Sequence, residues 1–313
     1  MQRRILVAAV LALGAITVFT GTRPAIAGDA PPLVWVALEN ANAVALVNVR
    51  TGNVLRRVRT AGGPHNITVA TDGTAVVALW ASDDIAIVRR RARIVDLGGA
   101  PHDVKMRGGL IVVANQGAAR LERVRSDGRV LRPIGLKADP HDLAVQPNGR
   151  RAWVTLEGSD DLAVVNLDTR SVRYVSTGQS PHDLLFAPDG RLWVTDWNGA
   201  LHVFDGRRRI ETLRFGREAH HLAFTPDGEE AWITDHGVGK VFILSVRRIR
   251  RIDSRRIPGS PHHVAITANG RWAVIADHDR GSLLVFDAET HRRARVVRVG
   301  AGPHGVWAVP AST

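Results

Sequence analysis

Seven histidines recur along the 313-residue chain at a nearly constant interval: His65, His102, His141, His182, His220, His262 and His304. The steps between them are 37, 39, 41, 38, 42 and 42 residues. Six follow a proline and one follows Ala219, while the next residue varies among Asn, Asp, His and Gly. The imidazole alone is kept in every copy. Crowded imidazoles repel one another when protonated, so the neutral, ligating form should dominate near neutral pH. Neutral imidazole suits zinc, copper, iron and nickel. Seven cannot share one ion, because a four-coordinate site holds its nitrogens at ~2.0–2.1 Å from the metal. A subset of three or four, a cluster or several ions is the expected arrangement.

An element must bring these residues together, and the interval itself names one. It lies near the ~40–45 residues of a four-stranded propeller blade. After each histidine comes a short apolar run, then a turn such as Pro147-Asn148-Gly149 or Pro188-Asp189-Gly190, suited to hairpins. A second strand carries Ala-Trp-Val-Thr (152–155), Leu-Trp-Val-Thr (192–195), Ala-Trp-Ile-Thr (231–234) or Trp-Ala-Val-Ile (272–275). An apolar third strand and an arginine-rich fourth follow. Residues 33–60 supply strands two to four without a first strand, and 304–309 supply a first strand with nothing after it. Pairing them predicts an all-β, seven-bladed β-propeller, with 28–313 as a single domain and its sheet edges hidden by closure. Trp153, Trp193, Trp232 and Trp272 are expected to pack between blades.

In such a ring the first strand lines the central channel, which puts the seven histidines around its mouth as candidate metal ligands. Loops between second and third strands open on the same face. They add Glu157, Asp196, Asp235, His236, Asp277 and His278 as candidate oxygen ligands, orienting groups or catalytic bases, with Glu39, Trp80 and Trp197 nearby. Eleven of the 13 histidines fall on this face; His202 and His291 do not.

Composition narrows the alternatives. Without cysteine, disulfides, thiolate metal sites and cysteine nucleophiles are excluded. Residues 1–27 read as a secretory signal: Arg3 and Arg4, an apolar stretch from Ile5 to Phe19, and Ala25-Ile26-Ala27 before the cut. Cleavage after Ala27 leaves no membrane anchor and implies a periplasmic or extracellular protein, expected to be a monomer. The net charge is +12. A basic balance admits an anionic polymer or a protein partner at the histidine face; nucleic acid is not expected, because the arginines do not alternate with aromatics and the chain is exported.

Residues 181–205 combine Pro-His-Asp-Leu, Ala-Pro-Asp-Gly, Leu-Trp-Val-Thr-Asp and Val-Phe-Asp. This pattern resembles YVTN-type propeller repeats, and it is similar to the repeats of streptogramin lyases. The first resemblance implies the propeller fold across the mature chain. The second implies a metal-assisted lyase or hydrolase, with magnesium as cofactor and His262, Asp277 and His278 in comparable places. The ring's position also resembles the copper-holding histidines of nitrous oxide reductase propellers, which favours copper. Three functions stay open: a copper-binding protein or oxidoreductase component, a magnesium-dependent lyase, and a non-catalytic interaction scaffold.

Overall fold

The computed structural model describes residues 31–178 and 180–311. Among these residues are 28 β-strands and two one-turn 3-10 helices, arranged as seven four-stranded antiparallel sheets. Six sheets use consecutive strands. The seventh joins both ends: Pro303–Ala308 pairs with Leu33–Leu38, setting Trp307 opposite Trp35 and Ala308 opposite Val34. Each innermost strand packs against that of the next sheet, all the way around. The protein is a seven-bladed β-propeller. Blade 1 is this composite sheet, and blades 2 to 7 begin at Pro64, Pro101, Pro140, Pro181, Ala219 and Pro261. The signal segment expected at 1–27 lies outside the described residues. No helix among those described is long and apolar enough to cross a membrane.

Stacked sheets bury both faces of their middle strands, which is why these strands read as continuous apolar runs. Ala75–Leu79 and Trp272–Asp277 are buried throughout. Seven apolar clusters result, each shared by two neighbouring blades. Trp153, Trp193, Trp232 and Trp272 all lie in them, as inter-blade packing. The fourth strands face water; in Asn53–Arg59 only Val58 is buried. The first hairpin of blade 5 closes on Gly190 at φ +88, a conformation that favours glycine, and Asp189 Oδ1 accepts from the N–H of Arg191 at 3.0 Å.

A bulge sits where the histidines are. In blade 4, Pro140 pairs with Leu156 and Leu143 with Val154, so His141 and Asp142 together oppose Thr155. Blades 2, 5, 6 and 7 repeat the irregularity. The extra residue breaks the strand's two-residue alternation and re-aims its side chains. Both the histidine and the residue after it therefore reach the channel. Thr155 fixes the bulge: its Oγ1 accepts from the N–H of Asp142 at 2.9 Å and donates to the carbonyl of His182, in the next blade, at 2.7 Å. Thr195 and Thr234 do the same for His220 and His262. The recurring Trp-Val-Thr and Trp-Ile-Thr phrases thus couple His182, His220 and His262 each to the blade before it.

Candidate metal centre

All seven repeated histidines meet. Successive ring centroids lie 4.3 Å apart for His65–His102, 3.7 Å for His102–His141 and 4.5 Å for His141–His182. The circuit continues at 4.1 Å, 5.4 Å and 4.5 Å through His220 and His262 to His304, and closes at 3.6 Å from His304 to His65. Five are buried; His65 and His262 are partly exposed.

Beneath this circle the bulge supplies a second polar layer: Asn66, Asp103, Asp142, Asp183, His221 and His263. Asn66 spans the channel. Its Nδ2 donates to Asp142 Oδ1 at 2.7 Å, and its Oδ1 accepts from His263 Nε2 at 2.8 Å. Blade 1 contributes only Gly305 to this layer, because a Cβ there would lie 2.3 Å from the carbonyl oxygen of His65. Asp183 Oδ2 lies 3.1 Å from His221 Nδ1. Asp103 holds Lys105 through both carboxylate oxygens, at 2.6 and 2.5 Å.

The sevenfold sequence repeat is chemically uneven. His102 Nδ1 lies 3.1 Å from the carbonyl of His141, and His141 Nδ1 lies 3.1 Å from Asp142 Oδ2. A carbonyl or carboxylate oxygen accepts, so both Nδ1 atoms carry a proton. The other five form a continuous arc over blades 5, 6, 7, 1 and 2. In His182, His220, His262, His304 and His65, Nδ1 is buried and has no hydrogen-bond partner among the described residues.

Electrostatics keep the arc neutral. Burial, and then the charge of neighbouring histidines, hold His65, His182, His220 and His304 well below the ordinary histidine value. The same causes bring His262 to about 2, and burial brings His263 to about 3. His141 goes the other way: burial opposes its charge, but Asp142 outweighs it. His141 in turn outweighs the effect of burial on Asp142, which is held well below the carboxylate range. Burial, reinforced by Asp142, pushes Asp183 well up.

The loop candidates divide. His236 stacks on His220 at 3.7 Å, and burial lowers it to about 4. His278 lies 4.7 Å from His262, ring to ring, and 3.4 Å from Glu39 Oε2, whose hydrogen bond raises its pKa. Glu157 is exposed and accepts from Gln116 Nε2. The carboxylates of Asp196 and Asp235 are engaged away from the mouth. Asp196 accepts from the N–H groups of Asn198 and Ala200 and pairs with His202 Nε2 at 2.9 Å. Asp235 accepts from the N–H groups of Arg217, Glu218 and Val238. Asp277 is buried against Gly259, where a Cβ would lie 1.9 Å from its Oδ1. Sequence reasoning gave no site role to Glu39, Asp142, Asp183, His221 or His263. The only sequence signal for the last four is that each directly follows a repeated histidine.

Several groups here can hold a metal ion, each with ligand atoms within 4.8 Å of one another: His182, His220 and His221; His220, His236 and His262; Glu39, His65 and His304; His102, His141 and Asp142; and Asp142, Asp183 and His221. Imidazole nitrogens dominate the upper groups, and carboxylate oxygen enters below.

Solved structures share the fold. A functionally unknown protein from Desulfotomaculum acetoxidans superposes with TM-score 0.80 at 11% identity, covering 89% of this chain and 99% of its own. Virginiamycin B lyase from Staphylococcus aureus gives 0.70 at 16%, covering 78% and 87%. Kuenenia stuttgartiensis hydrazine synthase gives 0.72 at 17%, covering 81% and 91%. Identities this low establish architecture, and one scaffold hosts unrelated chemistries. No curated protein sequence matches significantly. The profile of the YNCE-like beta-propeller family matches residues 6–312.

Proposed function

The chain belongs to the YNCE-like beta-propeller family, and on that scaffold we propose an exported protein that holds a transition metal in its histidine-lined channel mouth. One observation carries this reading. Five buried Nδ1 atoms, on His65, His182, His220, His262 and His304, have no hydrogen-bond partner among the described residues. A buried polar atom left unpaired is costly, and most are satisfied by protein or water. An ion would satisfy several at once, and neutral imidazole is the form that ligates. Copper is the favoured metal, since Cu(II) tops the affinity order of divalent first-row ions at nitrogen sites. The protein then acts as a periplasmic or extracellular metal-binding protein or as the metal-bearing component of an oxidoreductase, with a protein partner at the histidine face. Metal analysis of untagged protein, followed by Cu(II) and Zn(II) titration, tests this. Tight copper binding that disappears in a His182→Gln, His220→Gln double variant is expected. Equal affinity in wild type and variant would refute it.

A second reading is favoured by Glu39, His278 and His262, which stand in sequence along one side of the mouth, and by the likeness to virginiamycin B lyase. It is a magnesium-assisted opening of a cyclic ester. Colourless protein that cleaves such an ester only with Mg(II) would support it over copper binding.

A further inference from the structure

We infer that the principal ion rests where the circle of seven meets the layer beneath it, on His182, His220 and His221, with Asp183 as the positioning residue for His221. This rests on the metal-binding reading and adds to it a ligand outside the repeated set. The three residues are 1%, 4% and 3% exposed, and their ligand atoms lie within 4.8 Å of one another. Each carries one buried ring nitrogen without a partner among the described residues: Nδ1 of His182, Nδ1 of His220 and Nε2 of His221. No other residue of the lower layer offers this. His263 uses its Nε2 on Asn66, and the remaining members are Asn, Asp and Gly.

Of the three, His221 is the one held from behind by a carboxylate. Its Nδ1 lies 3.1 Å from Asp183 Oδ2. That carboxylate is itself fixed, accepting from the N–H of Leu222 at 3.0 Å and of Leu184 at 2.7 Å. A carboxylate–histidine pair of this kind sets the tautomer and ring orientation of a metal-bound imidazole, with the other nitrogen aimed at the ion. Ligation of Zn(II) at ~2.0–2.1 Å in a tetrahedral arrangement separates nitrogens by about 3.4 Å, so the three must close by at most about 1.4 Å for that ion, and somewhat further for the square-planar preference of Cu(II). Two loop residues cover the site: Trp197 lies edge-on over His182 at 4.2 Å, and His236 stacks on His220 at 3.7 Å.

The test uses full-length mature protein, untagged, loaded with one equivalent of Cu(II). Affinity is read by competition with a chromophoric chelator, and the number of bound imidazoles by pulsed EPR. His221→Gln should weaken affinity about 100-fold or more and remove one imidazole from the spectrum. Asp183→Asn should weaken it about 10- to 100-fold with the imidazole count kept, and Asp183→Glu should recover part of that loss. His304→Gln, outside the trio, should change the count by none. If His221→Gln is too unstable to purify, Zn(II) added to wild type with 15N-labelled histidine replaces it; a coordination shift at His221 Nε2 is then expected. Unchanged affinity and count in His221→Gln, or no shift at that nitrogen, overturns the inner site. If His220→Gln still abolishes binding, the metal-binding reading survives that failure. Wild type that takes up neither Cu(II) nor Zn(II) ends both.

Discussion

Thr195 Oγ1 donates to the carbonyl of His220 at 2.6 Å, so a side chain of blade 5 fixes the backbone of the blade 6 histidine. The same oxygen accepts from the N–H of Asp183 at 3.2 Å. Thr195→Val keeps the shape and removes both bonds, leaving a buried N–H and a buried carbonyl unsatisfied. The expected cost is about 1–3 kcal/mol. In a domain of this size it should lower the melting temperature by roughly 2–4 °C per kcal/mol, measured on metal-free protein.

Metal should stabilise the fold by mass action. At a free copper concentration 100 times Kd the gain is about 2.7 kcal/mol, visible as a higher thermal midpoint that a chelator reverses. The effect should depend on which side of the circle is altered. His182→Gln should weaken binding by about tenfold or more, on the scale of losses at metal sites. His102→Gln, on the anchored side of the circle and outside the trio His182, His220 and His221, should weaken it far less. Equal losses from the two variants would contradict the division into arc and anchored pair.

Metal-free protein should lose stability in mild acid. His236, His262 and His263 have folded values of about 4, 2 and 3, below the ordinary 6.5. The unfolded chain therefore binds protons first as pH falls. What these groups contribute is fully present above about pH 6.5 and is lost progressively as pH drops toward those folded values. Each contributes a slope of up to about 1.4 kcal/mol per pH unit. His291 acts oppositely: held between Glu230 and Asp253, it is raised, so its contribution is full below 6.5 and fades as pH rises through its folded value. Urea midpoints taken between pH 7.5 and 5 should fall with acid, because the lowered set is larger.

Gly305→Ala addresses the gap in the lower layer. The added Cβ would lie 2.3 Å from the carbonyl oxygen of His65 and 3.1 Å from the Asn66 Cα. Both contacts are backbone, so the strands must part. A loss of about 1–3 kcal/mol is expected from overpacking, read by equilibrium unfolding. An unchanged midpoint would mean that blades 1 and 2 are less tightly apposed than described.

The ring of blades was legible because a repeat states its period many times over. Turns at Asn148-Gly149 and Asp189-Gly190 marked the hairpins, and the unmatched strands near Leu33 and Val306 implied closure. The circle of seven was legible for the same reason. The second layer was harder to foresee, because simple alternation sends His141 and Asp142 to opposite faces, and only the bulge opposite Thr155 sends both inward. Long-range partners were illegible in principle. Nothing in the local sequence links Asn66 to His263, 197 residues away. The acids ending the second strands, Asp196 and Asp235, read as mouth groups, since sequence places a residue on a loop without telling where its carboxylate turns.

The shortest step in the histidine circle, His304 to His65 at 3.6 Å, crosses the seam where the two ends of the chain meet. Strand Leu33–Leu38 pairs with Ala43–Asn48 on one edge, but its inner edge has no partner until residues 303–308 exist. The circle is therefore completed by the last event of assembly rather than accumulated blade by blade. Pairings so distant in sequence form slowly, and a chain interrupted before Pro303 would carry six of the seven imidazoles around an open cleft. A closed circle of seven rings would then report that the propeller has been sealed.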